Sequence, residues 1–121
     1  MTSRRRGVAL TPMETRRDVF VRAAVLADEL GYETFSVPEG WGLDSTPVLT
    51  EIALRTARIQ VASAVLSVWG RTPATLAMTA ATLHQICAGR YVLGLGPAPE
   101  RWRRGSTTPH SSTRPPSCAR S

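Results

Sequence analysis

The run Gln60-Val61-Ala62-Ser63-Ala64-Val65-Leu66 carries no charge and is rich in small and branched side chains, the pattern of a buried strand in a parallel sheet. Thr72-Pro73 comes after a short loop, an N-cap residue with proline at the first helical position. Leu76, Ala80, Leu83 and Cys87 then recur at helical spacing, and Arg90-Tyr91-Val92-Leu93-Gly94-Leu95 forms the next strand. Strand, capped helix and strand in this order make one β-α-β unit.

The same unit recurs upstream. Gly7-Val8-Ala9-Leu10 is a short apolar strand closed by Thr11-Pro12. Thr15, with Asp18 three residues on, predicts a capping box, and Val19, Ala23, Leu26 and Leu30 predict the inward stripe of a first helix that Gly31 ends. Thr34-Phe35-Ser36-Val37 is a second strand, stopped by Pro38 and followed by the loop Glu39-Gly40-Trp41-Gly42. Thr46-Pro47 repeats the cap-and-proline device, ahead of an inward stripe of Leu49, Ile52, Ala53, Thr56 and Ile59. Four strands alternating with three helices place residues 1–96 in the α/β class, with a parallel sheet and right-handed crossovers.

The chain has 121 residues, about half of the roughly 250 that a closed (β/α)8 barrel uses. No apolar run approaches the roughly 20 residues of a membrane span. The arginine-rich start runs into Thr11, Pro12 and Glu14 without a signal-peptide core, so the expected compartment is cytoplasmic. The net charge of +6 sits largely in the tail: residues 97–121 hold five Arg against Glu100 alone, while residues 1–96 hold ten Arg against eight acidic groups. With all basic residues Arg and no Lys or Asn, the excess reflects GC-rich coding more than a phosphate-binding face, so no nucleic-acid partner is expected. Cys87 and Cys118 have no metal-ligand spacing, and no metal site is expected.

Two segments carry a family likeness. Ser63-Ala64-Val65-Leu66-Ser67-Val68-Trp69-Gly70-Arg71-Thr72-Pro73-Ala74, and Leu76 through Thr82 leading to Gly89-Arg90-Tyr91-Val92-Leu93-Gly94-Leu95-Gly96, resemble the third strand, third helix and fourth strand of luciferase-like flavin and deazaflavin oxidoreductases. That family includes bacterial luciferase, alkanesulfonate monooxygenase and the deazaflavin-dependent reductases. The resemblance covers residues 7–96 and implies the N-terminal half of a (β/α)8 TIM barrel. It places FMN or the deazaflavin coenzyme F420 at the C-terminal ends of the strands.

The cofactor-binding residues it implies are Glu39, Gly40, Trp41, Ala64, Val65, Gly94 and Gly96. Ala64-Val65 matches a non-prolyl cis peptide that forms a bulge behind the ring, an ordinary trans pair being the alternative. Trp41 would cover a ring face, or pack beneath its loop. Gly94 and Gly96 precede a backbone segment that helps hold the cofactor phosphate in the family, although Pro97 and Pro99 here offer no N–H to it. Gly40 stands where the luciferases proper have a catalytic His, which favours hydride transfer over monooxygenation and leaves the catalytic residues unassigned. Arg71 faces a substrate or phosphate, or forms a salt bridge, and His84 is expected to be structural.

The expected function is a truncated luciferase-like oxidoreductase acting on a small molecule, inactive as this chain. The alternatives are a flavin monooxygenase fragment, or a small interaction protein that self-associates through open sheet edges. An unclosed barrel is expected to leave Val8, Leu10, Phe35, Val37, Val65 and Leu93 without partners on its inner face.

From Pro97 the periodicity ends: five of the nine prolines and runs such as Ser111-Ser112-Thr113 predict a disordered Arg/Pro/Ser-rich tail over residues 97–121. One GC-rich choice among the degenerate codons for Pro97 to Arg120, read two bases on, gives STRALAEGLHDAPFEHPAAELRA, whose Ser-Thr start and Ala-Leu-Ala-Glu stretch resemble the family's segment after G-L-G. The tail is therefore expected to be frameshift-derived, against the alternative of a natural disordered tail. Sequencing the DNA is the test. The expected result is a second frame that continues past Gly96 into four more β-α units, and an early stop in it would sink the idea.

Overall fold

The computed structural model describes residues 4–40 and 42–97 of the chain. The expectations for Trp41, and for disorder or a frameshift origin over residues 98–121, lie outside these.

The elements run β1 (Gly7–Ala9), α1 (Arg17–Glu29), β2 (Thr34–Val37), α2 (Ser45–Arg55), β3 (Gln60–Ser63), β4 (Leu66–Ser67), α3 (Pro73–Ile86), β5 (Tyr91–Val92) and β6 (Leu95–Gly96). The main sheet is parallel throughout, in the order β1-β2-β3-β5, and β4 pairs with β6 in a short parallel ladder beyond it. Successive strands are neighbours, and one apolar cluster joins all three helices to one face of the sheet. A doubly wound sheet would reverse its strand order and carry helices on both faces. This is instead the arrangement of the first units of a (β/α)8 barrel. Among the described residues no helix is long and apolar enough to cross a membrane.

Strand register decides which side chains meet the helices. Val8 lies beside Phe35, Phe35 beside Val61 and Val61 beside Tyr91, so these four form one row on one face. Phe35, Val37, Ile59, Val61 and Tyr91 share the buried core with Phe20, Leu49, Ile52, Leu83 and Cys87 from the helices. The intervening row, Ala9, Ser36, Ala62 and Val92, faces the other way. Phe35 and Val37 are therefore buried under the helices, and Val8 and Leu10 pack against the same core. The expectation that these four are bare on the inner face is overturned by the two-residue alternation of the strands. Val65 and Leu93 are exposed, at 38% and 37%.

The first helix also differs from its sequence pattern. Arg16, not Thr15, is its N-cap, without a side-chain cap bond, and the buried positions are Phe20, Val21, Ala24 and Ala27. Leu26 and Leu30 are 54% and 65% exposed. The segment holds two apolar stripes one residue apart, and the stripe with Phe20, the larger payload, takes the sheet. In α2 the N-cap is Asp44, whose Oδ1 accepts from Thr46 N at 3.1 Å, so Thr46-Pro47 lies in the first turn. Thr72 does cap α3, accepting from Thr75 N at 3.2 Å, with Pro73 next.

Two side chains fasten the N-terminal ends of the strands. Asp28 accepts from the backbone N–H groups of Ala57, Arg58 and Ile59 at 2.8, 3.1 and 2.8 Å. Arg90 donates to Cys87 O, Thr56 Oγ1, Ile59 O, Ala53 O and Thr56 O at 3.0, 3.1, 2.8, 3.0 and 3.2 Å. Its fork thus satisfies carbonyls left open at the end of α2, a task a single ammonium cannot copy. Arg90→Ala is expected to cost about 2–4 kcal/mol of stability, and Arg90→Lys to recover little of it. Urea unfolding measures both, and a lysine variant with the wild-type midpoint would refute this role.

Candidate functional site

At the C-terminal ends of the strands the main ladder breaks where the chain leaves β3. The Ala64–Val65 peptide is cis, the geometry implied by the family resemblance. Ala64 N still donates to Val37 O at 2.9 Å, and Leu66 N to Gly94 O at 2.8 Å, so the bulge is held between its two neighbouring strands. The expected single strands Gln60–Leu66 and Arg90–Leu95 are accordingly each split in two.

Ser63 stitches the bulge to β5 and to the residues that join β5 to β6. Its Oγ donates to Gly94 O at 3.0 Å and accepts from Gly94 N at 2.9 Å and from Tyr91 Oη at 3.1 Å. Burial pushes the Tyr91 phenol above its ordinary pKa, so it stays a donor. A Cβ on Gly94 would collide with Ser63 O, and one on Gly96 would stand 2.6 Å from Val65 Cγ2. These glycines are required by the close approach of the bulge itself. Gly40 has a similar reason on the other side, since its Cβ would meet Pro12 O at 2.9 Å.

The opposite end of the bulge is fastened by Glu39. Its Oε1 accepts from Ser67 N at 3.2 Å and Arg71 Nη1 at 2.5 Å. Its Oε2 accepts from Ser45 Oγ at 2.8 Å, Ser45 N at 3.3 Å and Arg71 Nη2 at 2.7 Å. Arg71 Nη2 also reaches Asp44 Oδ1 at 3.3 Å. The Glu39 and Arg71 side chains are only 12% and 16% exposed. With Gly42, Leu43, Asp44, Ser67 and Gly70 they line a cavity of about 340 Å³.

Of the residues singled out in the sequence, Glu39, Ala64, Val65, Gly94 and Gly96 thus belong to one hydrogen-bonded and packed assembly. Gly40 turns away toward the loop after β1, and Trp41 is outside the described residues. Arg71 is an ion-pair partner, with its fork occupied by two carboxylates. His84 lies in the last turn of α3, and Cys87 is buried in the core. Sequence reasoning missed Ser45, Ser63 and Ser67. A serine in an apolar strand reads as filler, and the one available signal was that Ser63 and Ser67 flank the Ala64-Val65 pair.

The residues present fit a flat ring better than a phosphate. Ala9 and Ser36 put small side chains on the face away from the helices, and Ala64 and Val65 are exposed at the turn beyond β3. Against that, the Arg71 guanidinium is already neutralised by Glu39 and Asp44.

Burial pushes the Glu39 carboxyl up, but the bonds from Arg71, Ser45 and Ser67 outweigh it and hold the group below the usual carboxylate value. A depressed folded value means that the stabilisation is full above the unfolded pKa, about 4.3, and is lost as pH falls through the folded one. Glu39→Gln is therefore expected to lower the melting temperature at neutral pH, with the gap to wild type narrowing below that window. A gap independent of pH would contradict the assignment.

The family described as luciferase-like monooxygenase matches residues 1–111. A Mycobacterium tuberculosis protein named "Putative coenzyme F420-dependent oxidoreductase" is 36% identical over 70 residues, 58% of this chain and 20% of that relative. Among solved structures, the coenzyme F420-dependent tetrahydromethanopterin reductase of Methanopyrus kandleri superposes with a TM-score of 0.73 at 24% identity, over 80% of this chain and 28% of that one. The FMN complex of the oxygenating constituent of 3,6-diketocamphane monooxygenase from Pseudomonas putida gives 0.72 at 24% identity, over 80% and 30%. Monooxygenase RslO1 of Streptomyces bottropensis gives 0.67 at 23%, over 84% and 39%. The chain thus spans a fifth of the curated relative and 28 to 39% of the solved chains. The solved structures share its fold, and the match over most of its length shows that the chain belongs to the luciferase-like monooxygenase family.

Proposed function

We propose that this chain supplies one wall of a flavin or deazaflavin site in a luciferase-like oxidoreductase, the ring lying against the Ala64–Val65 bulge. The single observation that carries the reading is the bulge: a turn at the C-terminal end of β3, anchored on both sides and presenting Ala64 and Val65 to solvent. Bound there, the cofactor would supply a hydride donor or acceptor. The protein's part is to hold the wall flat and to exclude water with Val65, Val68 and Leu93.

Between the two chemistries, hydride transfer with coenzyme F420 is the better fit. By the family resemblance Gly40 stands where the luciferases proper have a histidine, and a Cβ there would collide with Pro12. The relative with 36% identity carries F420 in its name. FMN is the runner-up. The substrate is a small molecule whose identity the described residues do not specify.

The described residues offer no unengaged guanidinium in the cavity for a phosphate, since Arg71 is held by Glu39 and Asp44. Binding of F420 or FMN is expected to be millimolar, without turnover. Titration of the chain with each cofactor, followed by cofactor fluorescence, tests this. Micromolar affinity, or reduction of either cofactor, would overturn the claim of weak binding, and no response from Ala64 or Val65 in an NMR titration would overturn the wall itself. The outer edges of β1 and β5 have no strand beside them among the described residues. Self-association through those edges is the second reading, and size-exclusion chromatography of the same samples reports it.

A further inference from the structure

We infer that Glu39 and Arg71 are positioning residues: together they set the angle of the Ala64–Ser67 turn, and hence the plane a bound ring meets, without touching the ring. This rests on the wall proposed above. The bulge has one end fixed by Ser63 through Gly94 and Tyr91. Its other end leaves the main sheet and is held by the β4–β6 ladder and by Ser67 N on Glu39. Glu39 accepts five hydrogen bonds, which fills its acceptor capacity, and both side chains are largely buried. A carboxylate so engaged has nothing left for a ligand. What it does is tie three segments together: the start of α2 at Ser45, the exit from the bulge at Ser67, and the loop into α3 at Arg71. Asp44 braces Arg71 from the rim, where its side chain is 65% exposed.

The pair acts through geometry, so its parts should be interchangeable in effect. Losing either member frees the turn, and losing both frees it no further. The bidentate fork is essential to this, because one ammonium cannot bridge both oxygens of Glu39.

The test is an NMR titration of the full chain with FMN and, separately, with F420. It reads the backbone amides of Ala64, Val65 and Gly94 in wild type, Glu39→Gln, Arg71→Lys, the double variant and Asp44→Asn. The expected result is that wild type shifts at these amides. The two single variants and the double should each bind about tenfold more weakly, a common loss of one decade. Asp44→Asn, at the exposed rim, should lose less. A purely structural pair would lower the melting temperature and leave cofactor-induced shifts unchanged, and that outcome overturns the inference. Additive losses in the double variant overturn it too, since they would mean separate direct contacts. If Glu39→Gln and Arg71→Lys fail to fold, Asp44→Asn decides: unchanged affinity there rejects the brace and the inference with it. If wild type itself shows no shift at Ala64 or Val65 with either cofactor, the wall is wrong and the positioning role falls with it.

Discussion

The Glu39 carboxylate is the point at which the C-terminal end of this sheet is held together. Bringing a carboxylate and a guanidinium out of water carries a desolvation cost of several kcal/mol per ion, and a single ion pair in such a place is commonly no better than an apolar pair. Here the cost is offset by number and geometry: two parallel N–H bonds from Arg71, two more from Ser45 and one from the Ser67 backbone. The bonds from Ser45 and Ser67 satisfy groups for which no other acceptor is at hand, and those from Arg71 pair its charge. An apolar substitute for Glu39 would leave Ser67 N and Ser45 Oγ without acceptors, so the ionic solution is tied to this local backbone.

That backbone needs the help because the bulge interrupts the sheet. A parallel ladder holds each strand by evenly spaced bonds, and after Ser63 the ladder stops and restarts out of line as β4 with β6. Side chains take over where the ladder is missing, Ser63 on the near side and Glu39 on the far side. The same interruption dictates glycine at two positions of the facing strand, since Gly94 and Gly96 lie within clash distance of Ser63 and Val65. The two glycines, which the family resemblance assigns to cofactor binding, are therefore explained by what lies beneath them.

How much of this could be read from the chain depends on which interactions are local. Strand β2 at Thr34–Val37, the Thr72 cap of α3, and the stripe of Leu76, Leu83 and Cys87 were legible, because periodicity and capping depend on residues a few positions apart. The stripe of α1 was not. Val19-Ala23-Leu26-Leu30 and Phe20-Ala24-Ala27 are both helical repeats, and only docking on the sheet selects the second. The inner-face expectation failed for Val8, Leu10, Phe35 and Val37 on a point of register, since nothing within these residues says which side of a parallel sheet holds the helices. Glu39 was legible as a strand-end residue and a salt bridge was one of the two readings of Arg71, but the two lie thirty-two residues apart and the sequence did not pair them.

The two ends of the sheet divide their labour along the Gly89–Gly96 segment. Its first part, through Arg90, closes the N-terminal end by capping α2 and the entry to β3, which in barrels is the end concerned with stability. Its second part, Gly94 and Gly96, lies at the end where barrels place their chemistry. A parallel strand only two residues long separates the two tasks, so an error in the placement of Arg90 would be carried along a short segment to Gly94, where Ser63 O leaves no slack. The Arg90 clamp and the Ser63 stitch are thus successive supports of one strand. The Glu39 pair adds the third support on the side that strand cannot reach, and this is why a largely buried ion pair sits at the end of the sheet otherwise given to ligand contacts.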